Sequence, residues 1–179
     1  MPALTKLQLL RVSETIDRVN GRIGRVVAWA ALAMVLIQLA VIVSRPLGFA
    51  SLWLRESLSY FNVALVLFAA AWTLRNDGHV RVDILYADAA PRTQAMIDLI
   101  GAAALLIPFM LAILWFSAPY VVRSWAIHEG SREAGGLQYV FLLKTAILLF
   151  ALQMLLQGLS QAIRAALVLT GAPRGAPAQ

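Results

Sequence analysis

The sequence predicts an all-α integral membrane protein, with four transmembrane helices arranged as two hairpins and an N-terminal amphipathic helix at the interface. Three observations carry this. Of the 179 residues, 61% are hydrophobic and only 13% charged, against about 25% charged in soluble domains, and the mean hydropathy is +0.77. Four stretches, 26–44, 57–74, 99–122 and 145–163, contain no Asp, Glu, Lys, Arg or His, and each is about as long as a helix crossing the hydrocarbon core. The basic residues flanking these stretches divide unevenly between two sides.

Residues 4–25 read as the amphipathic helix. Leu9, Val12, Ile16, Val19 and Ile23 recur at helical steps, and Arg11, Glu14, Arg18, Arg22 and Arg25 form the opposite stripe. Such a helix suits the headgroup layer, its arginines among anionic lipids; a solvated leader running into the first span is the alternative. The apolar run after it exceeds the length of a signal-peptide core, so it is read as a retained span, 26–44. Arg45-Pro46-Leu47-Gly48 ends it, because proline cannot continue the ladder and glycine permits the turn.

The second span, 57–74, has Glu56 at its start, where a carboxylate would meet the positive end of the helix dipole; an ion pair to another subunit is the other reading. Residues 75–92 are polar, with a turn signal at Asp77-Gly78 and strand-like alternation of Val80, Val82 and Ile84. A lone strand has nothing to pair with, so a short interfacial segment is expected. Pro91 suits the first turn of the next helix, whose span lies within 99–122 with Pro108 as an expected kink. Residues 123–144 form the second polar connection and 145–163 the fourth span. The chain thus divides into a segment 1–25, a four-helix membrane domain 26–169 and a tail 170–179 expected to be disordered. Ten basic residues fall on the side holding both termini and the 75–92 joint and five on the other, which places the richer side in the cytoplasm.

Several chemistries are excluded or unsupported. With no cysteine there is no disulfide, thiolate metal site or cysteine nucleophile. The net charge of +6 belongs to residues flanking spans rather than to a soluble basic face, so no nucleic-acid partner is expected. His79 with Asp77 and Asp83, and His128 with Glu129 and Glu133, are groupings of ordinary loop residues, and no catalytic, metal or cofactor site is assigned to them. Both histidines lie in connections rather than in helices, which disfavours haem. Transport pathways usually need ionisable groups inside the membrane or paired broken helices; these spans have no ionisable group, and the break at Pro108 has no match in another span. Gln153, Gln157 and Gln161 form one stripe on the fourth helix, and Gln38 and Asn62 are candidates to meet it by amide bonds across helices.

At this point a family resemblance enters. Arg55-Glu56-Ser57-Leu58-Ser59-Tyr60, the polar segment Arg75 to Asp83, Trp125 and Glu129, Lys144, and Leu152 to Leu159 together resemble the small membrane subunit (DctQ type) of tripartite ATP-independent periplasmic, or TRAP, transporters, over roughly residues 15 to 168. The resemblance implies a large membrane subunit (DctM type) that carries the substrate and sodium sites, a periplasmic solute-binding protein that delivers an organic acid, and for this chain a static scaffolding role in the inner membrane. Glu56, His79 and Asp83 match motif positions and, with Gln153 and Gln157, are interface or folding candidates. Lys144-Thr-Ala-Ile stands where many relatives have a proline-rich helix entry, which leaves the start of the fourth helix open. Two other readings stay open on the residues alone: a small membrane enzyme or redox protein, and a stand-alone homo-oligomeric transporter.

Overall fold

A computed structural model describes residues 3–49, 51–76, 78, 86 and 89–171. Among them are four long helices and no strand: α1 (Ala3–Ser44), α2 (Leu52–Arg75), α3 (Pro91–Ala126) and α4 (Val140–Leu169). Each is long and apolar enough to cross a membrane. The strand-like alternation at 80–84 lies outside the described residues.

The amphipathic stretch is not a separate element. It and the first span form one helix of 42 residues, about 63 Å long at 1.5 Å per residue. No proline interrupts it, and Gly21 and Gly24 are kept for packing. A Cβ on Gly21 would sit 2.4 Å from Arg75 Nη1, and one on Gly24 would sit 2.5 Å from Trp72 Cγ. These two positions let α2 lie close against α1, as small residues do between membrane helices. The helix ends where the sequence expects it to. Gly48 takes a left-handed φ of 78°, its N–H donates to the Arg45 carbonyl at 3.1 Å, and the Phe49 N–H donates to Ser44 at 3.0 Å.

Pro91 opens α3. The break expected at Pro108 takes the form of a widened, π-helical segment, Gly101–Leu106, directly before it. Proline has no N–H for the carbonyl four residues back and its ring crowds that carbonyl; a wider turn relieves both. Leu106 packs against α4 at Gly158, where a Cβ would lie 2.7 Å from Leu106 Cδ2. The start of α4 is Val140, so Lys144 lies inside the helix rather than ahead of it.

Successive helices run antiparallel, as do α1 and α4, while α2 and α4 pack side by side in the same direction. Its core is Ala71, Met110, Ala151 and Met154, flanked by Leu74, Leu106, Ile113 and Phe150. Lys6 Nζ donates to the Thr170 carbonyl at 3.1 Å, so the first and last turns lie together at one end. We call this the terminal end. The two short connections, 45–51 and 127–139, lie at the other.

Candidate functional site

The polar chemistry gathers in two clusters, one at each end of the bundle. At the terminal end, α1 and α4 bury a network in which Ser13, Asp17, Asn20, Gln157 and Ser160 are all nearly inaccessible. Asp17 Oδ1 accepts from Gln157 Nε2 at 3.0 Å and from Ser160 Oγ at 2.9 Å. Its other oxygen takes the Arg164 guanidinium in an ion pair. Arg164 Nε donates to Ser13 Oγ at 2.8 Å, and the Ser13 and Ser160 hydroxyls lie 2.7 Å apart. Asn20 Nδ2 donates to Gln157 Oε1 at 2.7 Å. The carboxylate is thus surrounded by donors from a single facing helix, as a buried charge must be.

The charged stripe of α1 is exposed as expected, but the face the helix buries most deeply is neither that stripe nor the apolar one. The side turned to α4 carries Ser13, Asp17 and Asn20, at steps of four and three, while Val12 and Val19 are 49% and 48% exposed. The physical reason is the solvent. Where lipid surrounds a helix, apolar side chains gain nothing by turning inward, and close packing with polar bonds decides the buried face. Ser13, Asp17 and Asn20 were missing from the sequence reading. The signal available was their helical spacing, matched by Gln157, Ser160 and Arg164 on α4.

The glutamine stripe of α4 works within the chain. Gln153 Nε2 donates to the Phe68 carbonyl at 3.1 Å and Gln161 Nε2 to the Leu74 carbonyl at 3.0 Å, while Gln157 bridges Asn20 and Asp17. Gln38 and Asn62 do not meet this stripe. Both are exposed, on the outside of α1 and α2.

At the opposite end, Glu56 is no helix cap. Helix α2 begins at Leu52 and has no acidic residue in its first turn, so Glu56 lies one turn in. Its carboxylate accepts from Ser131 Oγ and from the Leu137 N–H, both at 2.6 Å, and so fastens the 127–139 connection to α2. Gly136 makes room for this: a Cβ there would lie 2.6 Å from Glu56 Oε1 and 2.3 Å from Ser131 Oγ.

Beside it, Lys144 pairs with Glu129 and sits 3.9 Å above the Tyr120 ring centroid. The lysine bond holds the Glu129 carboxyl below the usual glutamate range. Trp125 Nε1 donates to Thr145 Oγ1 at 2.8 Å, and its ring packs edge-on to Phe141 with centroids 4.7 Å apart. His128 takes a left-handed φ of 45° as α3 ends, with its ring edge on Phe141, so its position is that of a turn residue. Among the described residues no group of three or more His, Cys, Asp or Glu could hold a metal ion. His79 and Asp83, with Asp77, lie outside the described residues.

Both clusters spend their charges on the fold. A bundle of this kind fits a component of a larger membrane assembly. The family model described as "Tripartite ATP-independent periplasmic transporters, DctQ component" matches residues 34–167. No curated protein and no solved structure matches the chain. DctQ is a family of transporter components, not of enzymes. The chain is a multi-pass membrane protein that belongs to the DctQ family, the small membrane component of TRAP transporters.

Proposed function

We propose that the chain is the scaffolding subunit of a sodium-coupled importer of organic acids. In this reading it sits in the bacterial inner membrane with both termini in the cytoplasm. A large, DctM-type membrane subunit carries the substrate and sodium sites, and a periplasmic solute-binding protein delivers the substrate. The chain itself has no catalytic role.

The observation that carries the scaffold reading is how the polar groups are used. The four charge-free stretches leave no ionisable group for a substrate or ion path. The glutamines of α4 are engaged by helix carbonyls and by Asp17. The buried charge of Asp17 is matched inside the chain by Arg164. Such a bundle supplies a rigid wall, and transport chemistry then belongs to a partner. The orientation is supported by the meeting of both ends at one side, which also carries more of the basic residues.

The test is purification of the tagged full chain from its native membranes in mild detergent, with sodium-gradient uptake of organic acids measured in cells with and without the chain. A large multi-span protein recovered in comparable amount, and uptake lost on deletion, are expected. Recovery of the chain alone, or uptake that survives deletion, overturns the proposal.

A further inference from the structure

Three arginines of α1 stand beside a charge-free part of α4. Asn20 meets Gln157 across the two helices, which run in opposite directions. Five residues further along α1 is Arg25, and five residues back along α4 is Leu152, so the two are roughly level. Leu152 lies well inside the charge-free stretch 145–163. Charge returns to α4 only at Arg164, twelve residues beyond Leu152, which is about 18 Å along the axis at 1.5 Å per residue. Arg22 and Arg18 follow Arg25 at one-turn steps toward the terminal end. The surface of α1 therefore changes from basic to apolar well before that of α4 does, when both are followed away from the connections.

All three arginines are exposed. Among the described residues none of them makes an ion pair or a side-chain hydrogen bond, and Glu14, one turn before Arg18, is not bonded to them either. Arg18, Arg22, Arg25, Trp29, Leu32 and Leu36 recur at steps of four, three, four, three and four, so they share one exposed face. Trp29 is 71% exposed. Read from the terminal end, this face offers guanidinium groups, then an indole, then leucines.

A guanidinium level with an apolar stretch is costly unless an anion meets it, and its long stem lets it reach toward a headgroup. An acidic phospholipid presents its groups in the matching order. Its phosphate pairs with arginine, the interfacial level beneath suits tryptophan, and its acyl chains suit leucine. An acidic protein segment would match the arginines alone. We propose that this face of α1 binds an acidic phospholipid of the leaflet at the terminal end. Its phosphate rests on Arg18, Arg22 and Arg25, and its acyl chains run along Trp29, Leu32 and Leu36. The headgroups of that leaflet then reach further along α1 than along α4. The site stands or falls independently of the scaffold reading.

Native mass spectrometry of the tagged full chain in mild detergent tests it. The chain is titrated with dioleoyl phosphatidylglycerol or with phosphatidylcholine carrying the same acyl chains, and the bound lipid is counted. Tighter binding of phosphatidylglycerol is expected. Arg18→Gln with Arg22→Gln and Arg25→Gln should weaken it roughly hundredfold, and Arg22→Gln alone about fivefold. The triple change Arg45→Gln, Arg123→Gln and Arg132→Gln removes the same charge from exposed positions at the other end and should leave binding unchanged. Thermal unfolding of each variant shows that the bundle is intact, and Arg22→Gln decides the matter if the triple variant does not fold. Equal binding of the two lipids, or equal weakening by the two triple variants, overturns the site. So does a triple variant of the α1 arginines that holds phosphatidylglycerol as before yet no longer recovers a membrane partner, because the arginines then serve a protein.

Discussion

The two ends of the bundle hold their helices by opposite means. At the terminal end, a carboxylate, a guanidinium, two amides and two hydroxyls are enclosed between α1 and α4 and bond almost only one another. At the other end, Glu56, Glu129 and Lys144 are only partly covered, and they fasten a connection rather than a helix pair. Burial is the difference that matters. An enclosed charge that loses its partner keeps its desolvation cost, whereas a half-exposed one can turn to water. The terminal cluster should therefore be brittle and the opposite one forgiving.

The largest effect is expected from Asp17→Leu, which strands Arg164, Gln157 and Ser160 without their common acceptor. Removing one partner of a buried pair costs about 3–5 kcal/mol, and because the Arg164 side chain is one-third exposed about 2–3 kcal/mol is expected here. Thermal or denaturant unfolding in detergent measures it. Asp17→Asn keeps an acceptor and most of the geometry, so its cost should be smaller, about 1 kcal/mol. Equal losses from the two variants would show that the charge of Asp17, rather than its hydrogen bonds, governs this end.

Glu56→Ala removes the acceptor for Ser131 and the Leu137 N–H. About 1–2 kcal/mol is expected, felt as faster proteolysis within 127–139 while the bundle stays folded. A global loss matching that of Asp17→Leu would erase the distinction between the ends.

The mildest effect concerns pH. Because the folded Glu129 carboxyl titrates below the ordinary glutamate value of about 4.3, its contribution is complete above that value. It is lost as pH falls through the depressed folded value. Trp125 lies beside this pair and reports it. Its fluorescence should hold steady through the ordinary glutamate range and change only below it, and Glu129→Gln should abolish the acid step. A transition nearer neutrality would contradict the assigned cause.

Hydropathy made the spans legible because the four runs lack every ionisable residue, and each run lies inside an observed helix. Helix ends set by backbone chemistry were legible too: Pro46 and Gly48 stop α1, and Pro91 starts α3. The buried face of α1 was not. Leu9, Val12 and Ile16 make the more conspicuous stripe, and the rule that apolar residues turn inward holds for water and not for lipid. Nor could the sequence bring Glu56 to Leu137, since a contact across 81 residues depends on how α2 and α4 pack. The π-helical segment follows from Pro108 only once the helix is known to continue through it.

The terminal cluster also bears on the order in which the molecule is completed. Its bonds join residues separated by 137 to 151 positions, so the first helix made is finished only by the last. Until α4 arrives, Asp17 has none of its three donors. The two hairpins bring these distant segments within reach, and the final hydrogen bonds then close the circuit from one terminus to the other. A chain truncated before Gln157 would retain three apolar helices and lack the clasp. Contacts so remote in sequence slow folding, which ties assembly of this bundle to the arrival of α4.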